Sequence, residues 1–257
     1  MKIGDFTFNG QKLSDFGAVI TDVIRYPISD RELEFIAIPG KSGDVVLDKK
    51  RYKNIPITYK ISHVPTFSDD SGRHFAFKLS EWLTASYEYG ILRESYTPGY
   101  FFKAVCKGYT TPEEDAEGCV SCAVSFSCDP YLYADAGVAE KHYSSSVVEN
   151  SDNEYHQFEI ETYIFNPEKW DSEPIITIEG SGIYSAAFGS YAVNVTDNSG
   201  IIIIDKPHEN VYDEDGNPKN NKLSAQELPS LAPGNNLIRI WSDNPFTLKI
   251  KPNWRRR

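Results

Sequence analysis

Cys119-Val-Ser-Cys-Ala-Val-Ser-Phe-Ser-Cys128 holds three of the chain's 4 cysteines, and the fourth, Cys106, lies just upstream. As a motif, Cys119-Val-Ser-Cys122 has the spacing of a zinc or disulfide pair. As a strand it reads differently. Side chains of a pleated strand alternate between faces, so Val120, Cys122, Val124, Phe126 and Cys128 share one face and Cys119 points to the other. Four thiolates can then reach about 2.3 Å from one ion only through a bulge or turn between Cys119 and Cys122. The same alternation aims the two sulfurs of a CxxC disulfide apart. The strand reading makes Cys122 and Cys128 small core hydrophobes and leaves Cys119, beside a loop, as the most reactive thiol.

The chain around this stretch supports the strand. It has 257 residues, of which 13% are aromatic, mostly 16 Tyr and 14 Phe, with a single Met. Aromatic and β-branched side chains suit a pleated surface, and a chain of this length buries about 75% of its unfolded surface without help from a metal or disulfide. Asn9-Gly10 in "FTFNGQKL" is a hairpin signal, because both residues tolerate positive φ. "ELEFIAIPG" and "IPITYKIS" alternate apolar and polar residues, the pattern of strands with one buried face. One helix interrupts them. Asp70 and Ser71 can cap it, Phe75, Leu79, Trp82 and Leu83 form an apolar stripe under which the Cys122 face packs, and Gly90 offers a left-handed stop. Strands resume in "GYFFKAVCKGYT" and in the opening stretch, separated by the acidic loop "TPEEDAEG", and Pro130 closes the block. "ADAGVAEKHYSSSVVENSDNE" is small, polar and aperiodic, as a linker or arm is. Beyond it, "HQFEIETYIFN", "EPIITIEG", "YAVNVTD", "GIIIIDK", "NNLIRIW" and "FTLKIKPNW" predict a β-sandwich of jelly-roll type.

Charge and motifs narrow the function. The formal net charge of −11 disfavours gripping nucleic acid through its phosphates. No apolar run spans a bilayer, and "MKIGDFTFNG" lacks an apolar signal core, so cytoplasmic synthesis with free thiols is expected. "PGKSG" is not a phosphate loop, since Phe35 stands where the first glycine of that motif belongs and "DVVLD" is strand-like. "VYDEDGNPKNN" lacks the distal Glu of a calcium loop and reads as a turn at Asp215-Gly216. Glu159 and Glu161 share a strand face and have the pairing of glycosidase carboxylates, but such spacing is common along strands by chance and a solvated edge explains them better. His63, His74, His142, His156 and His208 form no HxH or HExxH pair, and no GxSxG elbow occurs. No catalytic, cofactor-binding or metal-binding residue is nominated, and no cofactor. The basic end "NWRRR" can pair with an acidic neighbour, touch nucleic acid through Arg and Trp, or lie in solvent.

Taken in order along the chain, "FTFNGQKLSDFGAVI", "IPGKSGDVV" with "RYKNIPITYKIS", "KLSEWL" and "VSFSCDPYLY" resemble the first half of the distal tail protein family of siphophages. "IEGSG", "IIIIDKPHENVYDEDGN", "LPSLAPGNNLIRI" and "LKIKPNW" continue the resemblance through the second half. It implies a mainly β protein. Residues 1–133 would be a sandwich or barrel-like belt domain with one helix, forming a homo-hexameric ring around a channel. Residues 134–257 would be a galectin-like jelly-roll sandwich on the outside. The implied role is structural and non-enzymatic: a hub at the distal end of the tail, assembled in the host cytoplasm. It would join the major tail tube protein to the tail-associated lysin, fibre or baseplate proteins, with no sequence-specific nucleic-acid binding and no membrane contact. The four cysteines and the triple arginine are not features of that family, and there is no room for long sugar-binding insertions. A different function remains open, a carbohydrate-binding adhesin whose second sandwich stacks sugars on Trp170, Trp241 or Trp254; a glycoside hydrolase is a third.

Overall fold

The alternation in the first half builds one large antiparallel sheet and a separate two-stranded ribbon. The computed structural model describes residues 4–23, 29–63, 72–148 and 157–257. Its strands are β1 (Phe6–Phe8), β2 (Gln11–Lys12), β3 (Ala18–Val23), β4 (Arg31–Ile36), β5 (Val45–Tyr52), β6 (Ile55–His63), β7 (Gly90–Glu94), β8 (Tyr100–Tyr109), β9 (Glu113–Glu114) and β10 (Val120–Ala134), with helix α1 (Gly72–Leu83) between β6 and β7. The sheet runs in the order β2-β1-β7-β8-β10-β6-β3, and β9 adds to β10. The chain divides into two compact units, residues 1–132 with Arg257, and residues 133–256.

The cysteine strand is β10, and the predicted face is buried: Val120, Cys122, Val124, Phe126 and Cys128 all lie in the core of the first unit. They share that core with Phe75, Leu79, Trp82 and Leu83 of α1, so the helical stripe covers them as the spacing predicts. Trp82 anchors the helix. Its indole stacks between Phe6, at 5.5 Å, and Phe16, at 4.7 Å, and its Nε1–H donates to the Phe8 carbonyl at 2.9 Å, so the one polar atom of the ring is satisfied where it is buried. The four thiols are free.

Burial pushes the Cys122 thiol up to about 11 from an ordinary value of 9.0, and raises Cys128 through burial first and then Glu94 and Asp129. The unfolded chain therefore releases these protons before the folded chain does, and stability falls as pH rises through the window from 9.0 to about 11. The slope is about 1.4 kcal/mol per pH unit for each thiol. Denaturant titrations across that window are expected to show the decline, and Cys122→Ala to make it shallower. Parallel curves for the two proteins would mean the thiol is accessible in solution.

Several local readings change. The Asp70–Ser71 cap lies outside the described residues. The helix ends at Leu83, where the Thr84 N–H closes on the Ser80 carbonyl at 3.0 Å, so Gly90 is not its stop. Gly90 instead opens β7 because a Cβ there would sit 2.1 Å from Asn9 Oδ1, the atom that accepts the Ile91 N–H at 3.1 Å. Asn9 and Gly10 do turn the β1–β2 hairpin, at φ of 49° and 84°. Pro130 does not end its strand. β10 continues to Ala134, and the Asp129 carboxylate takes the Tyr131 N–H at 3.1 Å just past the missing proline donor.

The second unit is the predicted sandwich. Its strands are β11 (Lys141–Ser144), β12 (Ser146–Val148), β13 (Gln157–Asn166), β14 (Ile175–Glu179), β15 (Gly182–Phe188), β16 (Tyr191–Asn198), β17 (Ile201–Asp205), β18 (Asn210–Tyr212), β19 (Leu223–Ala225), β20 (Gly234–Ser242) and β21 (Thr247–Lys251). One sheet is ordered β11-β21-β14-β17-β18 and the other β12-β13-β20-β15-β16-β19. Ile160, Ile164, Ile238 and Ile240 of the larger sheet, with Ile176, Ile178, Ile202, Ile204 and Ile250 of the smaller, are buried, which is the layered packing that a sandwich needs. The expected linker is partly strand. β11 borders the first sheet on β21 and β12 borders the second on β13. An edge strand needs only backbone pairing on one side, so its side chains carry no periodic signal. Among the described residues no helix is long and apolar enough to cross a membrane.

Candidate functional site

The segment "ELEFIAIPGKSGDVVLDKK" departs most from its sequence reading. β4 and β5 form a ribbon that pairs, among the described residues, with no other strand. Its register sets Leu33 opposite Asp48, Glu34 opposite Leu47, Phe35 opposite Val46 and Ile36 opposite Val45. Opposed residues share a face, so Phe35 and Val46 lie on one side and Ile36, Val45 and Leu47 on the other. The alternation is real, yet neither side is covered: Phe35 is 62% and Val46 54% exposed, and Leu33, Ile36, Ile38, Val45 and Leu47 are also open to solvent. The expected buried face of "ELEFIAIPG" is therefore absent from the isolated chain.

The ion pairs of the ribbon lie toward its base. Glu32 receives Arg51 at 3.0 Å and Lys49 at 3.4 Å, Lys49 also faces Glu34 at 3.6 Å, and Arg31 faces Asp48 at 3.9 Å. The hydrogen bond from Arg31 holds the Tyr52 phenol below its ordinary range, with Arg257 adding to the effect. The Arg257 guanidinium lies 4.2 Å from the centre of the Tyr52 ring, a cation–π contact. The tip is "PGKSG", with Gly40 and Gly43 at φ of 81° and 80°. It joins strand to strand with no helix after it, so it has no phosphate-cradling amides at a helix start.

An isolated two-stranded ribbon is marginal in water, and surface ion pairs contribute little to holding it. A contiguous apolar surface with free backbone edges is what a protein partner covers. The geometry of the ribbon supports assembly with another chain.

The other sequence candidates scatter. Glu159 and Glu161 sit on β13, where β12 pairs alongside Gln157–Glu159 only, so Glu159 is bordered on both sides while Glu161 is exposed on an edge to which, among the described residues, no further strand pairs. Glu161 takes Arg239 Nε at 2.8 Å. Asp213 accepts the backbone N–H groups of Asp215 at 3.1 Å and Asn217 at 2.8 Å, which makes "DEDGN" a closed turn around Gly216. His63 is stacked on Phe75 at 4.5 Å inside the first unit, and His208 Nδ1 meets Asp205 at 2.9 Å. Among the described residues no three His, Cys, Asp or Glu side chains converge as a metal site does. The basic end is not a solvated tail: Trp254 is buried, and Arg255 donates to the Asp171 carbonyl at 2.8 Å and pairs with Glu173 at 2.7 Å. Of the three indoles, Trp254 is core, Trp170 is half-buried, and Trp241 is half-buried on the outward face of β20.

No protein-family model matches the sequence, and no curated protein matches it. Among solved structures, the Dit (gp 19.1) protein of phage SPP1, described as a paradigm of the hub adsorption apparatus in phages infecting Gram-positive bacteria, aligns over 97% of this chain and 98% of its own, with a TM-score of 0.66 and 16% identity. The baseplate of phage p2 in its strontium-bound activated conformation aligns over 96% of this chain and 97% of its own, at 9% identity and a TM-score of 0.45. The first of these shares the fold from end to end.

Proposed function

We propose that the chain is a non-enzymatic hub protein of a phage tail tip, whose first unit assembles into a homo-hexameric ring around the channel for DNA passage. The observation that carries this reading is the bare apolar ribbon β4–β5, which gains a covered surface only when another chain packs on it. The shared fold with a phage hub protein supports the setting. The hexamer, the belt role of residues 1–133 and the outward place of residues 134–257 follow from the sequence resemblance. So do the neighbours, the major tail tube protein on one side and lysin, fibre or baseplate proteins on the other. A net charge of −11 suits a passage for DNA, because an acidic wall repels phosphates instead of retaining them.

The test is mass in solution. Light scattering and native mass spectrometry of the purified chain, alone and mixed with tail tube and tail-tip proteins, are expected to give a sixfold assembly. A chain that stays monomeric in all three samples would overturn the proposal.

A further inference from the structure

The strand order of the second unit brings together residues that are far apart in sequence. Directly paired residues share a face, so a single row crosses the larger sheet: Ser146, Glu159, Trp241, Ser185, Asn194 and Ser224, from β12 through β13, β20, β15 and β16 to β19. With strands about 4.8 Å apart, five steps make a row about 24 Å long. Its neighbours in sequence, Ile160, Ile240, Ala186, Val193 and Val195, are buried, which places the row on the outward face.

The row is polar throughout except for one indole, and parts of it are held in position. Ser185 Oγ donates to Asn194 Oδ1 at 3.0 Å, which leaves the Asn194 amide N–H groups to point elsewhere. In the row beside it, Arg239 is fixed on Glu161 at 2.8 Å and is followed by Ala187 and Ala192. Those two short side chains leave low ground next to Ser185 and Asn194. At the Asn194 end of the row, between β16 and β19, a groove of about 480 Å³ opens, lined by Ala192, Asn194 and Ser224 together with Tyr191, Gln226 and Glu227. Among the described residues the Trp241 indole N–H donates no hydrogen bond and the Glu159 carboxylate accepts none.

We propose that this face binds a neutral, linear glycan, with Trp241 as the stacking platform and Glu159, Ser185 and Asn194 as partners for its hydroxyls. A pyranose ring presents a C–H face that packs on an indole and a rim of hydroxyls that need both donors and acceptors. The row supplies one platform, a carboxylate, an amide and three serine hydroxyls along a line long enough for several consecutive sugar rings. The charge selects a neutral chain. Glu159 and Glu227 oppose an anionic polymer, and the Arg239 charge is already matched by Glu161. The two rows themselves offer one aromatic ring and two alanines, too little apolar surface for an interface core; the larger exposed apolar residues of this sheet, Tyr163, Phe165 and Ile183, lie outside them. This site is in the second unit and does not depend on the ring reading.

The experiment uses the full chain, an array of neutral and acidic glycans, and titration calorimetry with maltohexaose, cellohexaose, chitohexaose and alginate. The expected result is retention of at least one neutral glycan, weakened about tenfold by Trp241→Ala and less by Asn194→Ala. Both variants should keep the wild-type thermal midpoint and assembly mass. Asn194 is exposed, so its variant reports on binding even if Trp241→Ala loosens the sheet. Retention of no neutral glycan, preference for alginate, or unchanged binding in both variants would overturn the proposal. Trp fluorescence that changes with protein concentration but not with sugar would assign the face to a protein and overturn it too.

Discussion

Phe35→Asp combined with Val46→Asp is expected to leave the chain folded and monomeric. The two side chains oppose each other on one side of the β4–β5 ribbon and are more than half exposed, so the isolated chain loses no packing when they change. At a contact between chains the effect is large. Burying a Phe or Val side chain contributes about 1.5–3 kcal/mol, and an uncompensated carboxylate in its place adds a desolvation cost. A loss of about 5 kcal/mol per contact corresponds to a weakening of more than about a thousandfold, enough to dissolve a ring at micromolar concentration. Size-exclusion chromatography with light scattering reads the mass, and circular dichroism with a thermal melt reads the fold. An assembly of unchanged mass would remove the ribbon from the interface. A lowered melting midpoint in the monomer would show that the ribbon packs on its own chain.

Phe126→Ala is expected to behave in the opposite way, destabilising the fold without acting on the assembly surface. Phe126 is fully buried at the centre of the β10 face, with ring centroids 5.2 Å from Phe8, 5.6 Å from Phe6 and 6.1 Å from Tyr59. Removing an aromatic ring from such a site costs about 3–5 kcal/mol, because the transfer term and the residual cavity add. The loss should appear as a lower denaturant midpoint for the first unit, while the second unit, which has its own core, keeps its transition. Trp82 reports on the first unit, since it stacks on Phe6, a neighbour of the new cavity. A midpoint within about 1 kcal/mol of wild type, the range of a well-tolerated core swap, would mean that the core closes around the gap.

The contrast between Phe126 and Phe35 separates what could be read from residues alone. Both stand in strands that alternate apolar and polar positions, and the pleat turns that alternation into faces in each case. For β10 and α1 the sequence was sufficient to name the buried side chains, because period and stripe are local properties of a strand and a helix. It also disfavoured a zinc site at the four cysteines, since alternation sends Cys119 away from Cys122 unless a bulge or turn intervenes. For β4 and β5 the same pattern established a strand but not what covers it. Cover is supplied by other elements, and here the described chain supplies none. Glycine carried a similar ambiguity: at Gly10 local backbone geometry decides, whereas at Gly90 the requirement comes from Asn9, eighty-one positions away.

The glycan row was the least legible feature. Glu159 and Glu161 were visible as a pair and Trp241 as one indole of three, but nothing local distinguishes Trp241 from the buried Trp254. Strand order decides it. β13, β20, β15 and β16 are adjacent in the sheet though not in the chain, and pairing register alone sets Glu159, Trp241, Ser185 and Asn194 side by side. The sequence by itself therefore determined the class of fold, the apolar stripe of the helix, the faces of β10 and the turns at Asn9-Gly10 and Asp215-Gly216, all of which depend on neighbouring residues. The tertiary structure decided which apolar faces stay open and which polar residues meet, because both depend on hydrogen-bonded neighbours brought from distant parts of the chain.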